Sequence, residues 1–448
     1  MARSNMNDPA TNSRSWPRIV AQSFSSSVGI MLAGLVSGVL VARLLGPEGR
    51  GLIGTVVTYT TVLVSFSHLM IGDTAVMEKK TASLETVLSH SWSLAVINFI
   101  IATPMFALFA YVLFLQYESI PQLLTIIYFI FFSLTNMMYQ LYFGVLRIQG
   151  QFWKLQVFAL AKPAIYAIFL ALLALGFGPA TVENVLLCLI ASDFLATVFM
   201  VALSGIPFRG KFNPRESWQF AKSGLPIYAA KVIQLLGGQG DRLLVVLLLA
   251  PYEIGIYLVA LTFATVLPGI YSTAIKLLVF PAAANMPEDT RGKQVLEMLR
   301  LTWLASLIAT LVTILVSQPL IPLVFGSPFA GSVVLAIALA AAGILRPVSD
   351  SLLEVQKSYQ VTRFFAVPSA VLFLSFVFVS LLLFRWLGVY AFVAGRAVSE
   401  CVTVAILSRR LSQHAPEISV WRWIVPRWED FRKLSTLSWG VVSGVRPR

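Results

Sequence analysis

The chain has 448 residues, 58% of them hydrophobic and only 12% charged, and its mean hydropathy is +0.82. A water-soluble domain carries about 25% charged residues, so a soluble enzyme or binding module is excluded and most of this surface must meet lipid. The formal net charge of +13 is dispersed between apolar runs rather than gathered on one face, which sets nucleic-acid binding aside.

Residues 1–18 form a polar, basic N-terminal segment on the cytoplasmic side. It leads into an apolar stretch over approximately 19–45, too long for a signal-peptide core, which is expected to remain as the first span. Apolar runs of roughly 20 residues, the length that crosses a bilayer core, then recur to the end of the chain. The first six spans run approximately 19–45, 51–73, 89–115, 121–145, 155–177 and 182–204. The second six run approximately 224–250, 254–280, 297–325, 329–350, 364–387 and 389–411. The expected fold is therefore an all-α polytopic membrane protein of about twelve transmembrane helices. It has an N-terminal six-helix bundle (19–204), a cytoplasmic linker (205–223) and a C-terminal six-helix bundle (224–411). The tail, 412–448, sets Trp421, Trp423, Trp428 and Trp439 among Arg422, Arg427, Arg432 and Lys433. Trp with Arg is the chemistry of the headgroup zone, so a basic cytoplasmic or interfacial segment is expected there.

Lys and Arg in the short loops set the orientation. One side collects Arg3, Arg14, Arg18, Lys79, Lys80, Arg147, Lys154, Arg209, Lys211, Arg215, Lys222, Arg291, Lys293, Lys357, Arg363, Arg409 and Arg410, whereas the other has little beyond Arg43, Arg50 and Arg385. Both termini are thereby expected in the cytoplasm.

The segment beginning LLGPEGRG at Leu44 recurs, weakened, as LLLAPYEIGIYLVA from Leu247. An offset of 204 residues superposes Pro47 on Pro251, Gly51 on Gly255, Thr58 on Thr262, Thr61 on Thr265 and Ile71 on Ile275. Such an echo half a chain apart is the sequence trace of a duplicated transporter bundle. An even number of spans per half gives the two copies one orientation, so the repeat is parallel.

ARLLGPEGRG at Ala42 to Gly51 and DRLLVVLLLAPYEIGIYLVA at Asp241 to Ala260, with Phe280-Pro281 closing the helix, resemble the signatures of polysaccharide flippases. These are of the O-antigen and exopolysaccharide repeat-unit translocase type, within the multidrug/oligosaccharidyl-lipid/polysaccharide exporter superfamily. The resemblance implies two pseudo-symmetric six-helix bundles, V-shaped around a central cavity. It also implies movement of an undecaprenyl-diphosphate-linked oligosaccharide to the outer leaflet by alternating access. Its partners would be the lipid-linked oligosaccharide, membrane lipids and a candidate polysaccharide polymerase complex. The resemblance supplies no agreed catalytic set, so candidate site residues come from charge in the wrong solvent.

A charge at the bilayer centre costs roughly 2.5–3.5 kcal/mol or more, so such a residue faces a cavity or a partner. The seventh span is the richest, with Lys231, Gln234, Gln239, Asp241 and Arg242. Lys231 and Arg242 fall within about 20° of each other on a helical wheel, with Gly237 and Gly238 between them permitting close approach or a bend. This stripe is expected to line a cavity, the alternative being ion pairs that only hold the bundle together. Lys162, Lys276, Arg396 and Arg43 are further candidates for phosphate contact, Arg43 and Arg50 standing equally well as solvated charges at the outer mouth. Arg396 and Glu400 fit a local ion pair as readily as ligand contact, and Arg346, Asp350 and Glu354 read as a structural ladder. Asp193, Asp241 and Glu400 are candidates for coupling to a proton or sodium ion. Tyr228, Tyr257 and Tyr271 could stack on sugar rings, though packing explains each as well.

No cofactor or metal is expected. The two cysteines, Cys188 and Cys401, lie inside apolar runs, the three histidines form no motif, and no phosphate-binding loop for ATP occurs. Two other readings remain. A drug or cation antiporter of the same superfamily would want an acidic cavity, whereas several buried charges here are cationic. A polytopic enzyme of the glycan pathway would want a large outer loop, and the outer loops here are short.

Overall fold

The computed structural model of the chain describes residues 9–67, 84–117, 120–206, 213–284, 286–359, 366–416, 418, 420–425 and 429–430. Every regular element within them is helical. The chain divides into two compact units, Met1–Val232 and Ile233–Arg448. The first holds α1 (Pro9–Ser67), α2 (Leu84–Gln116), α3 (Gln122–Ile148), α4 (Phe152–Ala174) and α5 (Val182–Ser204). The division falls inside α6 (Pro214–Leu248). The second unit continues with α7 (Pro251–Ala284), α8 (Glu288–Phe325), α9 (Ser332–Ala342), α10 (Arg346–Ser358), α11 (Ala366–Leu387), α12 (Tyr390–His414) and the short α13 (Val420–Ile424).

The helices are inside-out by the standard of a soluble protein. On α11, Leu374, Phe378, Leu381 and Leu382 share one face and are all exposed. On α8, Ile308, Leu311, Val312 and Leu315 do the same, while Ser306, Thr310, Thr313 and Ser317 are buried. Thr313 and Ser317 donate their hydroxyls to the carbonyls of Ala309 and Thr313 one turn back, which hides the polarity. An apolar face of that extent drives aggregation in water and is the required surface in lipid. Ten segments among the described residues are long and apolar enough to cross a bilayer. The chain is a multi-pass membrane protein.

The difference between ten and about twelve has two physical sources. The first two expected spans form one continuous segment, Phe24–Val64, bent at Gly46. The seventh, within α6, carries too much polarity to count by composition. Gly46 adopts φ 66°, ψ −173°, a conformation open essentially to glycine alone, and Pro47 opens the following helix. At the equivalent position in the second copy, Ala250 donates its backbone N–H to the Glu253 carboxylate at 3.3 Å and Pro251 opens α7. That is half of a capping box. The duplicated turn is thus built twice by different chemistry. The helices that follow still match: Thr61 donates to the Val57 carbonyl at 2.8 Å and Thr265, its equivalent, to Leu261 at 2.7 Å.

Elsewhere the ends follow local capping. Thr181 accepts from the backbone N–H of Asn184 at 3.3 Å and starts α5, which Gly205 ends at φ 68°. Asn213 accepts from the backbone N–H of Glu216 at 3.4 Å, so α6 begins inside the segment expected as a linker.

Two features depart from expectation. The tenth span is not one helix. Pro347 has no N–H to give and its ring excludes a helical carbonyl at Gly343, so the chain breaks between α9 and α10 over Gly343–Leu345. Ser306 of α8 donates to the Ile344 carbonyl at 2.5 Å, which satisfies a backbone group freed by the break. The tail also differs, because Trp423 is fully buried rather than interfacial. It packs with Ile418, Ala415, Leu411, Leu299 and Val295 in the core of the second unit. Its ring lies edge-on to Trp303, whose indole N–H donates to the Ile424 carbonyl at 3.0 Å. Trp428 and Trp439 lie outside the described residues, as do His68, Lys79 and Lys80.

Candidate functional site

Two buried charge groups stand out, one in each unit. In the second unit, α6, α10 and α12 bring five ionisable side chains together. The Arg396 guanidinium lies 3.5 Å from Asp241, with side-chain exposures of 16% and 17%. Arg346 lies 3.2 Å from Glu400 and 3.7 Å from Asp350, and Ser349 donates its hydroxyl to Glu400 at 3.1 Å. Arg396 and Glu400, one turn apart on α12, therefore pair across helices and not with each other. The ladder expected along α10 is likewise interrupted, since Glu354 pairs with Lys357.

Glycine makes this packing possible. A β-carbon at Gly343, in the break between α9 and α10, would meet the Arg396 guanidinium at 3.1 Å. On α6, a β-carbon at Gly237 would meet the Ser369 carbonyl oxygen at 2.9 Å, and one at Gly240 the Phe373 ring at 2.6 Å. These two positions let α11 approach α6, whereas Gly238 faces open space. The close approach holds α6 in the rotation that aims Asp241 at Arg396.

The opposite face of α6 is polar and accessible. Lys231, Gln234 and Gly238 are exposed, and Gln239 and Arg242 half-buried. Lys231, Gln234, Gly238 and Arg242 lie within a sector of about 80° on the helical wheel. Within a bilayer an exposed face of that kind meets water or a polar ligand, not acyl chains.

In the first unit, Lys162 of α4 lies 2.5 Å from Asp193 of α5, the lysine side chain 35% and the aspartate side chain 4% exposed. The ammonium also lies over the Phe132 ring of α3, 4.1 Å from its centroid. The second carboxylate oxygen, Asp193 Oδ2, is buried without a hydrogen-bond partner.

The remaining candidates scatter. Arg43 is exposed beside the Gly46 bend, whereas Arg50, read as equally at home in solvent, is half-buried with its guanidinium against Gly38. The Lys276 and Tyr271 side chains lie outside the described residues. Tyr228 is half-buried on α6. Tyr257 is fully buried, edge-on to Phe392 at 5.9 Å, so it is a core residue and not a sugar platform. Sequence reasoning missed Ser349 and Phe132 as partners and the role of Gly343. The pairing of Gly343 with Pro347 around an arginine was the available signal for a broken helix.

A family model described as polysaccharide biosynthesis protein matches residues 40–334. No curated protein matches the chain significantly. Among solved structures the chain resembles the lipid II flippase MurJ in an inward closed conformation. That likeness has a TM-score of 0.73 at 13% identity and covers 95% of this chain and 93% of that one. An inward-facing multidrug resistance MATE family transporter of the MOP superfamily gives 0.68 at 14% identity, over 86% and 95% of the two chains. The MATE multidrug transporter DinF-BH gives 0.61 at 11% identity, over 93% and 99%. At these identities the likeness establishes the fold alone, the one these flippase and multidrug-transporter structures have.

Proposed function

Because the chain belongs to the polysaccharide biosynthesis protein family, we propose that it is a flippase for an undecaprenyl-diphosphate-linked oligosaccharide repeat unit. It moves this lipid from the cytoplasmic to the outer leaflet of a bacterial inner membrane, for surface or exported polysaccharide such as O-antigen or exopolysaccharide. Both termini face the cytoplasm, the reaction is transport without chemical conversion, and a polysaccharide polymerase takes the product.

The observation that carries this reading is the cationic, accessible face of α6 inside a chain of this family. A lipid diphosphate brings negative charge and a hydrophilic glycan, and neither crosses hydrocarbon unaided. Lys231 and Arg242 replace counterions around the phosphates, Arg with paired N–H donors, and Gln234 and Gln239 add neutral hydrogen bonds. Lys162 is a further cation within an apolar helix. Arg396 acts indirectly, held by Asp241 and packed on the α9–α10 break.

Reconstituted in liposomes, the protein should carry a labelled polyprenyl-diphosphate glycolipid across the bilayer. Lys231→Ala and Arg242→Ala should each lower the rate at least tenfold at wild-type protein level. Wild-type rates in both variants remove the proposed headgroup contacts. Transport of organic cations with none of the glycolipid replaces the flippase reading with that of an antiporter.

A further inference from the structure

Lys162 and Asp193 lie deep in the apolar part of their helices. Lys162 is ten residues into α4, about 15 Å along its axis, and Asp193 stands at the middle of α5. Neither side chain belongs there without a reason beyond packing, since a small apolar pair would fill the space at lower cost.

The two partners are not equally accessible. The Asp193 carboxylate is 4% exposed and the Lys162 side chain 35%. The lysine side chain is thus the more open of the two to an approaching anion. The ammonium also has a second resting contact, the face of Phe132 at 4.1 Å, which keeps a cation in place by cation–π attraction while its ionic partner changes. Asp193 has no comparable reserve, because Oδ2 is buried without a partner.

Among the described residues, Tyr128 of α3 feels the Asp193 charge, Tyr166 of α4 neighbours Tyr128, and Cys188 of α5 and Arg50 of α1 neighbour Tyr166; the tyrosines and the cysteine are neutral near pH 7. Lys162 is thus the cation in direct contact with the carboxylate.

We infer that this pair is a ligand-for-proton exchange site, at which a diphosphate oxygen takes the Lys162 ammonium and Asp193 takes up one proton. This rests on the flippase reading. Lys162 stays an ammonium throughout, its ionic bond passing from carboxylate to phosphate. The proton enters from water and converts Asp193 from carboxylate to acid, so that no bare charge is left in the protein interior. Headgroup occupancy and proton occupancy then rise and fall together, and release of the lipid returns the proton.

The test is calorimetric titration of the full-length protein in nanodiscs with farnesyl diphosphate, in buffers of different ionisation enthalpy. Wild type should take up about one proton per ligand near pH 7, with affinity falling up to tenfold per pH unit as pH rises. Asp193→Asn should bind at least as tightly, with that uptake lost and the pH profile flattened. Protonation of the ligand itself is common to both proteins and cancels in the difference. Lys162→Arg, which keeps the charge, should retain the linkage, and a melting curve for each variant shows that it is folded. Equal proton uptake in wild type and Asp193→Asn overturns the exchange site and leaves the flippase reading standing. No binding of farnesyl diphosphate to wild type overturns both.

Discussion

Replacing Arg396 by Met should show how much of the second unit is held by its charge network. Arg396 lies 3.5 Å from Asp241, and two unit charges at that distance attract by about 5 kcal/mol at an effective dielectric near 20. The pair has a single close contact and keeps exposures of 16% and 17%, so the upper value is not reached. Removing one member of a largely buried pair costs about 3–5 kcal/mol, mostly the expense of the charge left behind; about 3 kcal/mol is the figure for this geometry. A unit of this size loses roughly 2–4 °C per kcal/mol, so the melting temperature in nanodiscs should fall on the order of 10 °C. Asp241→Asn combined with Arg396→Met should recover most of that loss, giving a coupling of about 2 kcal/mol in a double-mutant cycle. Glycolipid transport by the double variant then separates two roles: recovery with stability makes the pair structural, and a stable but inactive protein makes it mechanistic. Additive single effects would refute the reasoning, because an isolated Asp241 would then carry no penalty that its partner relieves.

The other predictions concern backbone and packing. Gly46→Ala should lower the stability of the first unit by about 1–3 kcal/mol, read as an earlier melting transition, because no β-carbon is tolerated at φ 66°, ψ −173°. Ala250→Gly, at the equivalent turn, should change stability by a few tenths of a kcal/mol, since that turn rests on Glu253 and Pro251. Ser306→Ala strips the Ile344 carbonyl of its donor at the helix break and should cost about 1–3 kcal/mol. Trp423→Ala should cost about 3–5 kcal/mol and release the tail to limited proteolysis, an outcome an interfacial tryptophan would not give.

Much of the fold was legible because bilayer length and turn chemistry are local. α5 matches its expected span, 182–204, residue for residue, since Thr181 and Gly205 are both cap signals written in the chain. Trp423 was misjudged because Trp beside Arg satisfies two environments equally. Only the presence of Trp303 and Leu299 on a distant helix decides for the core. The charged residues of α6 and α12 were visible as misplaced in lipid, but their partners were not. Helical spacing offered Arg396–Glu400, and the structure pairs each residue across helices instead, because Gly237, Gly240 and Gly343 allow approaches that no periodicity encodes.

The duplication and its departures carry one further consequence. At the repeated turn, the first copy relies on a glycine conformation and the second on a carboxylate cap, yet Thr61 and Thr265 still make equivalent hydrogen bonds. The helices after the turn thus match in local hydrogen bonding although the turns themselves are built differently. The buried charges differ between the units. The α4–α5 pair of the first unit sets Lys162 against Asp193 with a carboxylate oxygen to spare, whereas the α6–α10–α12 group of the second sets Arg346 and Arg396 against Asp241, Asp350 and Glu400, braced by Ser349. A lone pair can exchange partners one at a time. In the second group Arg346 is shared by Asp350 and Glu400, so changing its charge disturbs both contacts together. The exchange inferred above therefore suits the simple pair of the first unit, whereas the shared contacts of the second suit a rigid network.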